Sequence, residues 1–297
     1  MRVGVCKLCR TERPLQRSHL IPRAFYRLLR TPGMDDPNPI IADSEVTRVS
    51  QEQMAQPLLC AECEDRFSRN GEKWVLSKSY RLQGPSPLYT ALCNASPHPA
   101  FGSGTVYSAL STAGINLDQL VYFGASIFWR ASIADWSLNR RRAELIRLGG
   151  LYEEQFRQYL HGEAEFPANA VLWVAVVRSE DPAPVISLPT GERVGRYHRY
   201  TFDVLGLSYM LYVGGGLSEE LRRFCAVRSP NRYMFFTDID AVIERNSRSL
   251  FDKSAPSPKL TELERKDLSE LPQIIRNQMA NLAKRRRGTE APRSPAR

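Results

Sequence analysis

The sequence predicts an α+β fold: a small N-terminal module stapled by cysteines, then a larger body of helices and mainly antiparallel strands. Three observations lead there. Four of the six cysteines stand in two C-x-x-C pairs, "CKLC" at 6–9 and "CAEC" at 60–63. Apolar residues recur at helical spacing over 116–148 and again over 151–161. Beyond residue 170 the pattern changes to β-branched and aromatic runs split by Gly or Asn.

The chain has 297 residues, 42% hydrophobic and 25% charged, the composition of a soluble globular protein. The N-terminus "MRVGVCKLCR" lacks the apolar run of a signal peptide. The most apolar stretch, "QLVYFGASIFWRASI" at 119–133, is interrupted by Arg130 and is too short to span a bilayer comfortably. The expected compartment is therefore cytoplasmic, with no membrane partner. In a reducing cytosol the paired cysteines serve better as metal ligands than as disulfides. Cys93 and Cys225 stand alone and read as space-filling residues.

The net charge of +9 favours a polyanionic partner. Residues 253–297, however, hold eleven Lys/Arg against five Asp/Glu, so a basic solvated tail accounts for most of that charge.

Composition divides the chain into four stretches. Residues 1–80 hold both cysteine pairs and the segment "RSHLIPRAFYRLLR" (17–30). Residues 81–104, rich in Pro, Gly and Ser, read as a connector. Residues 105–250 form an α+β accessory body, and 251–297 a basic tail, partly helical and disordered after Gly288. In the body, Leu117, Leu120, Val121, Ile127, Phe128, Ala131 and Ile133 share one broad face of the 116–148 helix. Leu151, Phe156, Tyr159 and Leu160 turn inward on the next. "AVLWVAVVR" (170–178) has the makeup of a strand buried on both faces. "RYHRYTFDVLG" (196–206), "SYMLYVGG" (208–215) and "NRYMFFTD" (231–238) follow as strands. "RYHRY" suits an edge strand with its polar face in water, and "YVGGGLS" (212–218) a strand-to-helix turn. "DIDAVIERNSRSLF" (238–251) returns to helix. In the tail, Pro272 should kink an amphipathic stretch over 260–287.

A C-x-x-C turn lets two thiolates reach one tetrahedral ion, and two such turns complete a four-thiolate site. Cys6, Cys9, Cys60 and Cys63 meet that requirement for a structural Zn2+. A thioredoxin-like redox pair is the competing reading, but neither pair has βαβ surroundings. The 50 residues between the pairs exceed the loop of a simple zinc ribbon and must be a structured insert.

"CKLC", then "SHLIP", then "PLLCAECE" resembles the HNH endonuclease superfamily over residues 5–75. The resemblance implies a zinc-stapled ββα-metal, treble-clef-like module that hydrolyses nucleic-acid phosphodiester bonds. His19 then matches the general base that activates water, and Pro22 the family proline. A divalent Mg2+ or Mn2+ held nearby would stabilise the developing charge. Two positions depart from the pattern. Ser18 stands where the family has an acidic or His ligand, and Glu64 where it has His or Asn. Glu64 is a candidate ligand for the catalytic ion. Glu72, eight residues on, is a weaker one, and Glu62 should point elsewhere.

His19 has a plainer reading as well, in which Ser18 is an N-cap and Pro22 lies in the first turn of "PRAFYRLLR". Arg17, Arg23, Arg27 and Arg30 surround it; the last three fall at i, i+4 and i+7 and suit either phosphate contacts or a solvated helix face. Two functions follow. One is an endonuclease with DNA ahead of RNA as its substrate. The other is a catalytically degenerate, zinc-stapled nucleic-acid-binding or scaffold protein. The 105–250 body would supply target choice, or contacts to a second copy or a partner protein.

Overall fold

The computed structural model describes residues 2–30, 38–42, 46–81, 84–101, 104–138, 141–143, 145–182, 184–238 and 255–256. The predicted helices over 238–251 and 260–287 therefore lie almost wholly outside the described residues. The fold is α+β. It groups into two compact units, Met1–Leu28 with Glu52–Ser247, and Leu29–Gln51 with Arg248–Arg297.

The first unit begins with an antiparallel sheet of β1 (Val3–Val5), β2 (Glu12–His19) and β5 (Ala55–Cys60), in the order β1-β2-β5. The register slips between Gln16 and Arg17, because Gln16 pairs with Leu59 and Arg17 with Pro57. Leu58 is the extra residue of this bulge. Pro57 has no N–H to give, which an edge strand tolerates. The bonds lost from the ladder are recovered elsewhere. The Leu58 carbonyl accepts from the Lys7 N–H at 3.1 Å, and the Leu59 N–H donates to Ser18 Oγ at 3.1 Å. Ser18 is thus a buried strand residue and not a helix N-cap. The helix α1 (Arg23–Leu28) starts five residues later and buries Phe25.

Cys60 leads directly into α2 (Ala61–Phe67), which continues through a π-helical turn, Ser68–Glu72, into α3 (Lys73–Ser79). The cap residues between these segments all keep right-handed helical dihedrals, so this is one helix with a π-bulge. Within the bulge, a Cβ on Gly71 would stand 3.0 Å from the Phe123 backbone nitrogen. Only glycine lets the two helices come so close there. The connector stretch holds α4 (Pro87–Cys93), with Ser86 accepting from the Tyr89 N–H and Pro87 in its first turn.

The long helix α5 (Leu117–Ile133) is buried on nearly every side. Phe25 stacks on Phe123 from the hairpin side at 5.2 Å, and Phe67 meets Trp129 edge-on. From the other side Phe202 and Tyr209 pack on Phe123, and Gly124 admits the Tyr209 ring. A helix enclosed in this way is apolar on nearly every side, with Arg130 as its buried charge. It does not continue to residue 148 as its spacing predicts. Ala134 is extended, the Trp136 indole donates to the Arg130 carbonyl at 2.8 Å, and Arg147 donates to that of Ser132 at 2.7 Å. Side chains beyond the end satisfy the last carbonyls, and Trp136, Ile146 and Leu148 reach the core without a helix. The short strands β8 (Ser137–Leu138) and β9 (Arg141–Arg142) fill the gap, and α6 (Gly150–His161) follows as predicted, ending at a left-handed Gly162.

α5 lies on a seven-stranded sheet made of β6 (His98–Phe101), β7 (Gly104–Ser108), β10 (Ala170–Val177), β11 (Thr190–Val194), β12 (Tyr197–Val204), β13 (Leu207–Gly214) and β14 (Tyr233–Thr237). The order is β11-β12-β13-β10-β14-β7-β6, antiparallel except for the β10–β14 pair. The expected edge strand over 196–206 is interior, because β11 pairs outside it. "YVGGGLS" leads from β13 to α7 (Glu219–Arg223), whose N-cap is Ser218. Cys225 is buried and Cys93 exposed. The second unit shows a small sheet in the order β15-β4-β3, from β3 (Ile40–Ala42), β4 (Val46–Val49) and β15 (Ala255–Pro256). No helix among the described residues is long and apolar enough to cross a membrane.

Candidate metal centre and the His19 end of the hairpin

The β1–β2 turn carries Cys6 and Cys9; the end of β5 and the first turn of α2 carry Cys60 and Cys63. All four sulfurs lie within 4.8 Å of one another, and Cys9 Sγ is 3.9 Å from Cys60 Sγ. Tetrahedral thiolates at a Zn–S distance of about 2.3 Å would stand about 3.8 Å apart, so the quartet fits a metal ion such as zinc. Local bonding prepares it. Arg10, at φ +59°, closes the first turn and donates its N–H to the Cys6 carbonyl at 2.9 Å. The Cys60 N–H donates to Cys6 Sγ at 3.3 Å. A hydrogen bond from the Cys63 thiol, reinforced by backbone donors, holds Cys6 far below the ordinary thiol range, at about 4. Among the described residues this is the one group of three or more His, Cys, Asp or Glu side chains placed to share an ion.

The turn is also gripped from outside. Arg157 of α6 donates to the Leu8 carbonyl at 2.9 Å, while Glu154 and Glu163 pair with its guanidinium. Arg10 pairs with Glu154. The cysteine-bearing turn thus belongs to one packed unit with α6.

At the other end of the hairpin, His19 closes β2 with a half-buried side chain. Burial, then the charges of Arg17, Arg23 and Arg130, push its imidazole below the usual 6.5, so the ring is neutral at pH 7. Arg17, Arg23 and Arg27 are exposed, and none forms an ion pair among the described residues. Arg30 lies beyond the end of α1 and belongs to the other unit, so the predicted three-arginine helix face is not formed.

The Ser18 hydroxyl oxygen accepts from the Leu59 N–H. Glu64 Oε1 is buried and has no hydrogen-bond partner among the described residues. Burial raises the Glu64 carboxyl; Arg130 and Ser18 lower it, and Glu72 raises it further. Eight residues of regular α-helix would carry Glu72 about 80° past two full turns from Glu64. The π-bulge, which turns less per residue, brings it back toward Glu64. Glu62 points away and pairs with Arg13.

Between these groups lies Arg130, whose side chain is 1% exposed. Its Nη2 donates to Glu72 Oε1 at 2.8 Å and to Ser126 Oγ at 3.2 Å, its Nη1 to the His19 carbonyl at 2.9 Å, and its Nε to the Ser126 carbonyl at 3.3 Å. The guanidinium lies over the Phe67 ring, 5.1 Å from the centroid. Sequence reasoning met Arg130 only as the charge that breaks an apolar run. That was the available signal: a charge on the buried stripe of a helix needs a partner.

No family model, curated protein or solved structure matches this chain.

Proposed function

We propose that this protein binds nucleic acid, DNA ahead of RNA, through a zinc-stapled, HNH-like hairpin-and-helix module. The observation that carries the reading is the set of exposed arginines Arg17, Arg23 and Arg27, which lack carboxylate partners among the described residues; Arg17 and Arg23 lie close enough to act on a half-buried His19. Unpaired guanidinium groups around a neutral imidazole suit phosphate oxygens better than a basic patch already neutralised by acids. The four thiolates supply rigidity and leave no open coordination position for chemistry.

A second reading, an HNH-type endonuclease with His19 as general base and Glu64 as ligand of a Mg2+ or Mn2+ ion, is favoured by the neutral His19 ring and the unpartnered Glu64 Oε1. Two assays on the zinc-loaded chain separate the readings. Fluorescence anisotropy with duplex DNA should give affinity that falls with salt, the log–log slope becoming shallower by about 0.9 for each arginine replaced among Arg17→Ala, Arg23→Ala and Arg27→Ala. Unchanged affinity in the triple variant refutes the binding surface. Plasmid and RNA cleavage with Mg2+ or Mn2+ should be absent; cleavage that His19→Ala abolishes would establish the endonuclease instead.

A further inference from the structure

We propose that the Arg130 guanidinium takes the place of a divalent ion between Glu72 and the His19 end of the hairpin, so that the module's second positive charge is built into the chain. The proposal deepens the reading of the module as HNH-like, and uses it only for the expectation that an ion belongs there.

The side chains present do not fit a hard divalent ion. Such an ion takes several oxygen donors at about 2.0–2.6 Å. Ser18, at the position of an expected ligand, has no exposed surface, and its hydroxyl oxygen accepts from the Leu59 N–H. Glu72 Oε1 already accepts from Arg130 at 2.8 Å. An ion on Glu72 would have to sit against that guanidinium, charge against charge, beside an arginine side chain only 1% exposed. The His19 backbone carbonyl, another oxygen at this end, also faces Arg130. His19, Glu64 and Glu72 do not gather as a set of ion ligands.

The guanidinium, in contrast, fits closely. Glu72 needs a cation in this half-enclosed position, and Arg130 supplies it at 2.8 Å. Each of its nitrogens has an acceptor, and one plane of the group rests on Phe67. A divalent ion arrives from solution and can leave. Arg130 arrives on α5, so the charge appears only when the hairpin packs on the body. The hairpin's His19 end is thereby coupled to the fold of the whole unit.

The test is electron paramagnetic resonance of Mn2+ added to the full-length, zinc-loaded chain. Wild type at about 0.1 mM Mn2+ should hold no ion at this site, and Arg130→Gln should bind Mn2+ at least about tenfold more tightly. Adding Glu72→Gln to that variant should abolish the gain. Mn2+ binding by wild type that Glu72→Gln removes overturns the proposal, as does an Arg130→Gln protein that folds and binds no more Mn2+ than wild type. If Arg130→Gln does not fold, Arg130→Lys carries the test: it keeps the charge and must still exclude the ion, and bound Mn2+ overturns the proposal. These readouts use no nucleic acid. A failure of DNA binding would sink the proposed function without touching them.

Discussion

Arg130→Met retains most of the aliphatic stem over Phe67 and deletes the guanidinium. The deletion strips the His19 carbonyl of its donor at 2.9 Å and Glu72 of its partner at 2.8 Å. Breaking a buried ion pair by removing one partner costs about 3–5 kcal/mol. Glu72 is 15% exposed and can recover some hydration, so the expected loss lies near the lower end, about 3 kcal/mol. Urea unfolding followed by tryptophan fluorescence reads this directly, since Trp129 packs edge-on against the same Phe67 ring. The midpoint should fall with the slope unchanged. A double-mutant cycle with Glu72→Gln should return a coupling of about 1–3 kcal/mol. If Arg130→Met lies within about 0.5 kcal/mol of wild type, Arg130 does not hold the hairpin and the π-bulge to α5 and the reasoning fails.

Three further outcomes are expected. Metal analysis should find zinc at one ion per chain; Cys60→Ser should lose it, and the melting temperature should fall by about 10 °C or more. Because the folded His19 imidazole titrates below its unfolded value of 6.5, the unfolded chain binds more protons between the two. Its contribution to stability is therefore complete above 6.5 and is lost as pH falls through the folded value; His19→Gln should flatten the stability–pH curve in that window, and an unchanged curve refutes the assignment. Gly124→Ala would put a Cβ 2.6 Å from Tyr209 Cδ1. The helix-propensity gain of about 1 kcal/mol is smaller than the overpacking, for a net loss of about 1–2 kcal/mol by calorimetry.

How legible each feature was depends on how local its cause is. The C-x-x-C turns are local, and so were readable before any fold was known. The strands over 170–178, 196–206, 208–215 and 231–238 appear as β10, β12, β13 and β14 because their side-chain pattern is set by burial. The end of α5 was misread because Trp136, Ile146 and Leu148 continue an apolar pattern while packing from extended backbone. β11, with residues Thr190–Val194, is mostly exposed and carries no apolar alternation, so nothing in it announced a strand. Its partner β12 therefore passed for an edge.

By itself the sequence determined the α+β class, the cysteine quartet and the basic surroundings of His19, since each follows from residue type and short spacing. Only the tertiary structure decided what stands beside the carboxylates. Ser18 became a ladder substitute because of a bulge on another strand. Glu72 turned toward Glu64 through a π-bulge. Arg130 reached across 58 positions to Glu72 and 111 to His19. Contacts at such separations exist only once α5 is packed, and a buried guanidinium is then held by partners that no local pattern specifies.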